Sequence, residues 1–207
     1  TYIDLYGEKT GLVPDRKWKS KAKQEPWYPG ETLNVGIGQG YFLATPMQLT
    51  LATASLANDG NTYTPHLLLG DKNNKTNEVS VYNYENNKFY TAMKDPHHLH
   101  IVKNAMWRVV NEKRVGTASH LKKVKNIEYA GKTGTAQVYN LDKGKTGTKS
   151  LQDHALFISY APFESPEIVV TVVVENGGGG STTAAPIARD IIEYYMDKKP
   201  TSVSMHE

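Results

Sequence analysis

Two apolar runs joined by a short polar link decide the fold, in the sequence HALFISYAPFESPEIVVTVVV at residues 154–174. The first run, 154–160, and the second, 168–174, are rich in β-branched and aromatic residues, which favour strands. The seven residues between them include Pro162 and Pro166 and make a connection of hairpin length. The stretch therefore predicts an antiparallel pair of buried strands.

A third strand and a helix flank this pair. The strand is predicted over residues 127–139, IEYAGKTGTAQVY, where apolar residues lie on both sides of a polar centre. The helix is predicted to follow the capping cluster 181–183 and to continue through Tyr195, with Pro186 in its first turn, where the missing N–H does no harm. Three adjacent strands and a helix that can lie across them predict an α+β fold, an antiparallel sheet with helices packed on it.

Cap signals predict two further helices. Thr45-Pro46 combines an N-cap residue with proline at the first helical position, and this helix is expected to end at Asn58-Asp59-Gly60. Asp95-Pro96 begins the other helix. Its predicted apolar face, at three- and four-residue steps, comprises Leu99, Val102, Met106 and Val109.

Two regions carry weaker signals. Residues 1–45 are rich in glycine, proline and lysine and are predicted to form a long ordered loop pinned by Trp18, Trp27 and Tyr28. Residues 70–91 are predicted to include a solvent-facing hairpin or loop, whose only strand-like stretch is 79–82.

Composition excludes several classes of function. The 207 residues suit one domain or a large part of one, and a net charge of +3 with scattered lysines does not predict nucleic-acid binding. The absence of cysteine excludes disulfides, thiolate catalysis and cysteine-bound metal sites. His97, His98 and His100 lack ligands at helical i+4 spacing, so they predict a solvated helix start; no metal ion and no other cofactor is expected.

The letters Lys-Thr-Gly occur three times, beginning at Lys9, Lys132 and Lys145. On a strand, they form the substrate-docking element of serine acyl-transferases that react with penicillin. Only Lys132 has apolar residues on both sides to fix it in a sheet, whereas Lys9 indicates a turn and Lys145 a polar, flexible loop beyond the strand. His154, which opens the next strand beside that loop, is a candidate for lining the same site.

A longer signature carries a family resemblance. The sequences WYPGETLNVGIGQGY (27–41), ATPMQL (44–49), GKTGTAQV (131–138) and VENGGGGS (174–181) strongly resemble the class B penicillin-binding proteins. Within that class, the residues around Ile3-Asp4-Leu5 and Trp18-Lys19 look most like the cell-elongation branch, penicillin-binding protein 2. The resemblance covers residues 1–197, the C-terminal portion of a transpeptidase domain of the penicillin-binding and serine β-lactamase-like fold, and 198–207 are expected to form a flexible tail.

The resemblance implies a DD-transpeptidase that cross-links peptidoglycan. In the family, a serine attacks the D-Ala–D-Ala bond of one stem peptide, an amine of a neighbouring stem resolves the acyl-enzyme, and β-lactams acylate the same serine. Lys132 and Thr135 are the expected catalytic residues, with the Thr135 N–H as an oxyanion donor. Lys132, Thr133, Gly134 and Thr135 are expected to bind the substrate or β-lactam, the threonine hydroxyls holding its carboxylate.

The family also implies partners and a location. The expected partners are peptidoglycan stem peptides and β-lactams, the N-terminal remainder of the same protein, and elongation proteins such as RodA and MreC. The expected location is the periplasmic face of the cytoplasmic membrane, with an anchor upstream of this chain.

The nucleophile is the main departure from the family. Ser20-Lys21-Ala22-Lys23 matches the S-x-x-K spacing but lies in a polar stretch closed by Pro26, and no S-x-N occurs. The family's serine motifs would lie upstream, so the chain is expected to be a fragment and inactive by itself. A carboxypeptidase or β-lactamase-like hydrolase of the same fold, and a non-catalytic penicillin-sensing or scaffold domain, remain alternatives.

Overall fold

The computed structural model describes residues 1–84, 88–90, 95–137 and 152–198. Expectations about Val138, Tyr139, the Lys145 copy of Lys-Thr-Gly and the tail from 199 onward fall outside these residues. The chain divides into two compact units, one of residues 1–51 and 63–88, the other of residues 52–62 and 89–207.

The described residues contain five α-helices and seven strands. The helices are α1 (Arg16–Lys23), α2 (Pro29–Gly36), α3 (Pro46–Ala57), α4 (Pro96–Asn111) and α5 (Ala185–Lys198). The strands are β1 (Asn61–Tyr63), β2 (Gly70–Lys72), β3 (Val79–Val81), β4 (Lys88–Tyr90), β5 (Ala130–Ala136), β6 (His154–Ala161) and β7 (Ile168–Val174). None of these helices is both long enough and apolar enough to cross a membrane.

The predicted N-terminal loop is wrong, because residues 1–45 contain α1 and α2. Asp15 caps α1 by accepting a hydrogen bond from Trp18 N–H at 2.6 Å, and Pro29 occupies the first position of α2. Helices of eight residues are marginal by themselves, so tertiary contacts hold them. The aromatic pinning is present, since the rings of Trp18 and Tyr41 lie 5.1 Å apart.

A buried cation joins these two helices. The Lys19 side chain is 1% exposed, and its ammonium lies 2.5 Å from a Glu31 oxygen, 3.4 Å from a Glu25 oxygen and 4.4 Å from the centre of the Tyr28 ring. Burial lowers the pKa of Lys19, but hydrogen bonds to Glu31 and Glu25 outweigh burial and raise it overall. The same hydrogen bond from Lys19 lowers the pKa of Glu31.

Both internal helices confirm their cap signals. Thr45 and Gln48 form a reciprocal capping box at α3, with the Gln48 N–H donating to Thr45 Oγ1 at 3.1 Å and the Thr45 N–H to Gln48 Oε1 at 2.9 Å. Asp95 accepts from the His97 N–H at 2.8 Å and caps α4. On the predicted apolar face of α4, Leu99 and Met106 are buried and Val109 is half-buried. Val102 is 43% exposed, so its predicted burial is wrong.

The hairpin at residues 70–91 is confirmed with a correction. β2 and β3 pair antiparallel, with Gly70 opposite Val81. The prediction of a single strand-like stretch is wrong, because β2 is a strand despite its polar residues and β4 pairs with β1.

The antiparallel sheet β5-β6-β7 confirms the predicted fold class. β7 has the predicted bounds, but β5 begins at Ala130 and not at Ile127. Its pairing with β6 ends where Ala130 meets Tyr160, because β6 ends at Ala161 and Pro162 has no N–H to continue the ladder.

Alternate residues of β6 face two cores, as the two-residue period of a strand requires. On one face, Ala155 and Phe157 lie in a core that includes Ala184, Ala188 and Ile192 of the C-terminal helical segment. On the other face, Tyr160 lies in a core with Ala57 at the end of α3 and Met106 of α4. The sheet is therefore covered by helix on both sides, and its edge strands among the described residues are β5 and β7.

We expect Glu31→Gln to destabilise the protein near neutral pH by removing the charge that pairs with buried Lys19. The folded-state pKa of Glu31 lies below its usual value of 4.5, so its stabilisation is complete above that value and is lost as the pH falls through the depressed pKa. Urea denaturation followed by tryptophan fluorescence should show a gap between variant and wild type at pH 7 that narrows below pH 4.5.

Glu25→Gln is the matched control, because Glu25 is 55% exposed and lies further from the same ammonium. It should shift the midpoint less than Glu31→Gln at pH 7. An equal shift, or a Glu31→Gln gap that does not change with pH, would contradict the role assigned to the buried pair.

Candidate active-site strand

The four predicted site residues lie together on β5, an edge strand of the described three-stranded sheet. Lys132 and Thr135 are exposed, whereas Thr133 and Gly134 are half-buried. Because successive side chains of a strand point to opposite faces, Thr133 and Thr135 share one face and Lys132 lies on the other.

Lys132 presents its charge at the surface. Its ammonium donates a hydrogen bond to the carbonyl oxygen of Thr133, which draws the side chain along its own strand. Among the described residues, no carboxylate forms a salt bridge with Lys132. A carbonyl oxygen carries only a partial charge, so the positive charge at this edge is not neutralised and would attract an anion.

Thr133 meets a residue that the sequence reasoning missed. Its Oγ1 lies 3.0 Å from Oγ1 of Thr117, in the turn that follows α4, and either hydroxyl can be the donor. The two residues are sixteen positions apart. No short motif joins them, so only the folded chain shows that they form a pair.

The glycine-rich segment after β7 forms a tight turn. Asn176 and Gly178 both have positive φ angles, 52° and 76°, and the Gly177 N–H donates to the Val174 carbonyl at 3.2 Å. Gly180 then begins a π-helical turn that leads into α5 and packs directly on the sheet. A Cβ on Gly180 would lie 2.3 Å from the Gly134 oxygen and 2.4 Å from the Leu156 oxygen, so only glycine fits.

His154 holds this turn. It lies opposite Ala136 at the end of β5, and its Nδ1 accepts a hydrogen bond from the Asn176 N–H at 2.9 Å. In the neutral ring, an accepting Nδ1 requires the proton to be on Nε2. The histidine therefore links the end of the candidate strand to the glycine-rich turn.

Two serines match the S-x-x-K spacing, and neither has the surroundings of a nucleophile. Ser20 lies on α1, where a loop was predicted, and it is exposed. Within the described residues, the Lys23 ammonium forms no hydrogen bond with Ser20; it lies 5.6 Å from the centre of the Tyr41 ring. Ser119, which precedes Lys122 at the same spacing and was missed, donates to the Gly116 carbonyl at 2.8 Å in a turn. An activated serine of this type begins a buried helix next to its lysine.

Comparison with known families identifies the fold. The model of the penicillin binding protein transpeptidase domain matches residues 1–193. The chain belongs to this family.

Individual relatives agree with the family assignment. The chain is 40% identical to the peptidoglycan D,D-transpeptidase MrdA of Haemophilus influenzae, over the whole chain and 32% of that protein. A crystal structure of Pseudomonas aeruginosa PBP2 in complex with WCK 5153 is 38% identical, with a TM-score of 0.77 over 95% of this chain and 40% of that one. A complex of PBP2 and MreC from Helicobacter pylori is 32% identical, with a TM-score of 0.73 over 94% of this chain and 32% of that one. The chain thus spans about a third of the curated relative's length.

We expect His154→Ala to loosen the glycine-rich turn, because it removes the acceptor for the Asn176 N–H. His154→Asn should retain most of the contact, since the asparagine Oδ1 takes the place of Nδ1. Amide hydrogen exchange at Asn176 should be roughly threefold to tenfold faster in the alanine variant, the size expected for one hydrogen bond. Equal exchange in both variants would contradict this role for His154.

Proposed function

We propose that the chain provides the docking strand of a peptidoglycan D,D-transpeptidase of the cell-elongation type. The observation that carries the proposal is the position of Lys132 and Thr133–Thr135 on the exposed edge of β5, within a family whose curated relative is a peptidoglycan D,D-transpeptidase. A cation, two hydroxyls on one face and an edge strand of the described sheet fit an extended peptide that ends in a carboxylate.

Each residue has a role that follows from its position. Thr133 and Thr135 hydrogen-bond the substrate carboxylate through their hydroxyls, and Lys132 supplies the positive field around it. Gly134 has no side chain, so the substrate backbone can approach the strand closely. The Thr135 N–H donates to the oxygen that becomes negative when the scissile carbonyl is attacked.

The reaction needs a nucleophile that we assign to a segment outside this chain. A serine of that segment attacks the penultimate D-Ala carbonyl, its proton passes to a base, and terminal D-Ala leaves as the amine. An amine of a second stem peptide then attacks the acyl-enzyme, forms the cross-link and releases the serine. A β-lactam presents a similar carbonyl and carboxylate and acylates the same serine.

The proposal extends to partners and location. The relative from Helicobacter pylori forms a complex with MreC, which supports an MreC partner for this protein too. We assign a RodA partner and a position on the periplasmic face of the cytoplasmic membrane on family grounds.

Fluorescent penicillin tests the proposal. The isolated chain should remain unlabelled, whereas the full-length protein, or the chain combined with its serine-bearing segment, should be labelled. In the full-length protein, Lys132→Ala and Thr135→Val should each slow labelling by roughly tenfold to 10²-fold, because they remove the charge and the hydroxyl that hold the carboxylate of the penicillin. Thr135→Val retains the backbone N–H.

Lys9→Ala and Lys145→Ala are the matched controls, since both alter other copies of Lys-Thr-Gly and should label at the wild-type rate. Labelling of the isolated chain, or an unchanged rate in Lys132→Ala, would overturn the proposal. Incubation with a depsipeptide and an amine acceptor separates the reaction types, because a hydrolase would release acid where a transpeptidase forms the amide.

A further inference from the structure

We infer that Thr117 is a positioning residue of the docking strand, which sets the direction in which the Thr133 hydroxyl donates its hydrogen bond. The inference rests on the proposed function, in which Thr133 binds the substrate carboxylate. Its basis is the 3.0 Å separation between Oγ1 of Thr117 and Oγ1 of Thr133, together with the rigid turn that carries Thr117.

The turn is anchored to the end of α4. The Gly116 N–H donates to the Glu112 carbonyl at 2.9 Å, and the Ala118 N–H donates to the Val109 carbonyl at 3.0 Å. Ala118 is completely buried, so the residue after Thr117 is fixed in the core.

Close packing leaves this turn little room to move. A Cβ on Gly116 would lie 2.4 Å from the carbonyl oxygens of both Arg108 and Val109, so the backbone lies directly against the helix. Side chains on such a turn keep a defined position relative to neighbouring elements. Thr117 is therefore held next to β5 by backbone contacts that do not involve the strand.

The hydroxyl chemistry gives the pair a direction. A hydroxyl has one hydrogen to donate and two lone pairs that accept. A carboxylate only accepts hydrogen bonds, so the Thr133 hydroxyl must donate its hydrogen to the substrate. The Thr117 hydroxyl then donates to Oγ1 of Thr133, which completes a chain from Thr117 through Thr133 to the carboxylate. Hydrogen bonds in such chains polarise one another, which makes Thr133 a stronger donor.

Exposure agrees with this division of roles. Thr117 is exposed and Thr133 is half-buried, so water competes for the pair when no ligand is present. A bound carboxylate would exclude that water and leave Thr117 as the donor to Thr133. The contribution of Thr117 should therefore appear when the anion is bound and should be small in the free protein.

A double-mutant cycle in the full-length protein tests the inference. Thr117→Val keeps the shape but removes the hydroxyl, and should lower the second-order rate of fluorescent-penicillin acylation roughly threefold to tenfold, the effect of one hydrogen bond to a neutral or charged partner. Thr117→Ser keeps the hydroxyl and should restore most of the rate. Thr133→Val should lower the rate at least as much as Thr117→Val, and the double variant should be no slower than Thr133→Val alone.

Ser119→Ala is the matched control, because Ser119 lies in the same turn but its hydroxyl donates to the Gly116 carbonyl. Ser119→Ala should be acylated at the wild-type rate. Thermal unfolding of each variant checks that the protein remains folded. The inference is overturned if Thr117→Val acylates normally, if the two threonine effects add, or if Ser119→Ala is equally slow. Those results leave the proposed function intact, whereas normal acylation by both Thr133→Val and Lys132→Ala would overturn the proposed function itself.

Discussion

The hydrogen-bonded ladder between β5 and β6 is the constraint on which the candidate site depends. It runs over seven residue pairs, from Ala130 opposite Tyr160 to Ala136 opposite His154. Fully buried Phe157 and Tyr160 face opposite cores, so a slip of one residue would move each into the wrong core. The same register decides which face of β5 carries the hydroxyls of Thr133 and Thr135.

Packing of the core explains one of the glycines in the motif at residues 131–135. A Cβ on Gly131 would lie 2.4 Å from a ring carbon of Phe157, so the first glycine of Gly-Lys-Thr-Gly-Thr is required by the core. A Cβ on Gly134 would lie 3.2 Å from the Cβ of Leu156, a tight contact but less severe than the one at Gly131. Packing thus sets the first position of the motif, whereas the exposed positions Lys132 and Thr135 are those for which we propose a role in binding.

Two lysines show how burial separates a charge that is paired inside the fold from one that stays at the surface. Lys19 is buried and lies beside two carboxylates, which neutralise its charge inside the protein. The pair with Glu31 links α1 to α2. Lys132 is exposed and donates to a backbone carbonyl, so its charge remains available at the strand edge. The apolar residues on both sides of Lys132 indicate its strand from the sequence alone, whereas no local pattern shows that Lys19 is buried.

The sequence by itself determined the sheet, the helices α3 and α4 and the place of Lys132-Thr133-Gly134 on a strand, because alternating or continuous apolar runs and helix caps act over a few neighbouring residues. It did not determine α1 and α2, the exposure of Val102, the link from His154 to Asn176 or the pair of Thr117 with Thr133. The short helices depend on the burial of Lys19 against Glu31, twelve positions away. These features join residues that are distant in the chain, and only the packing of whole elements brings such residues together.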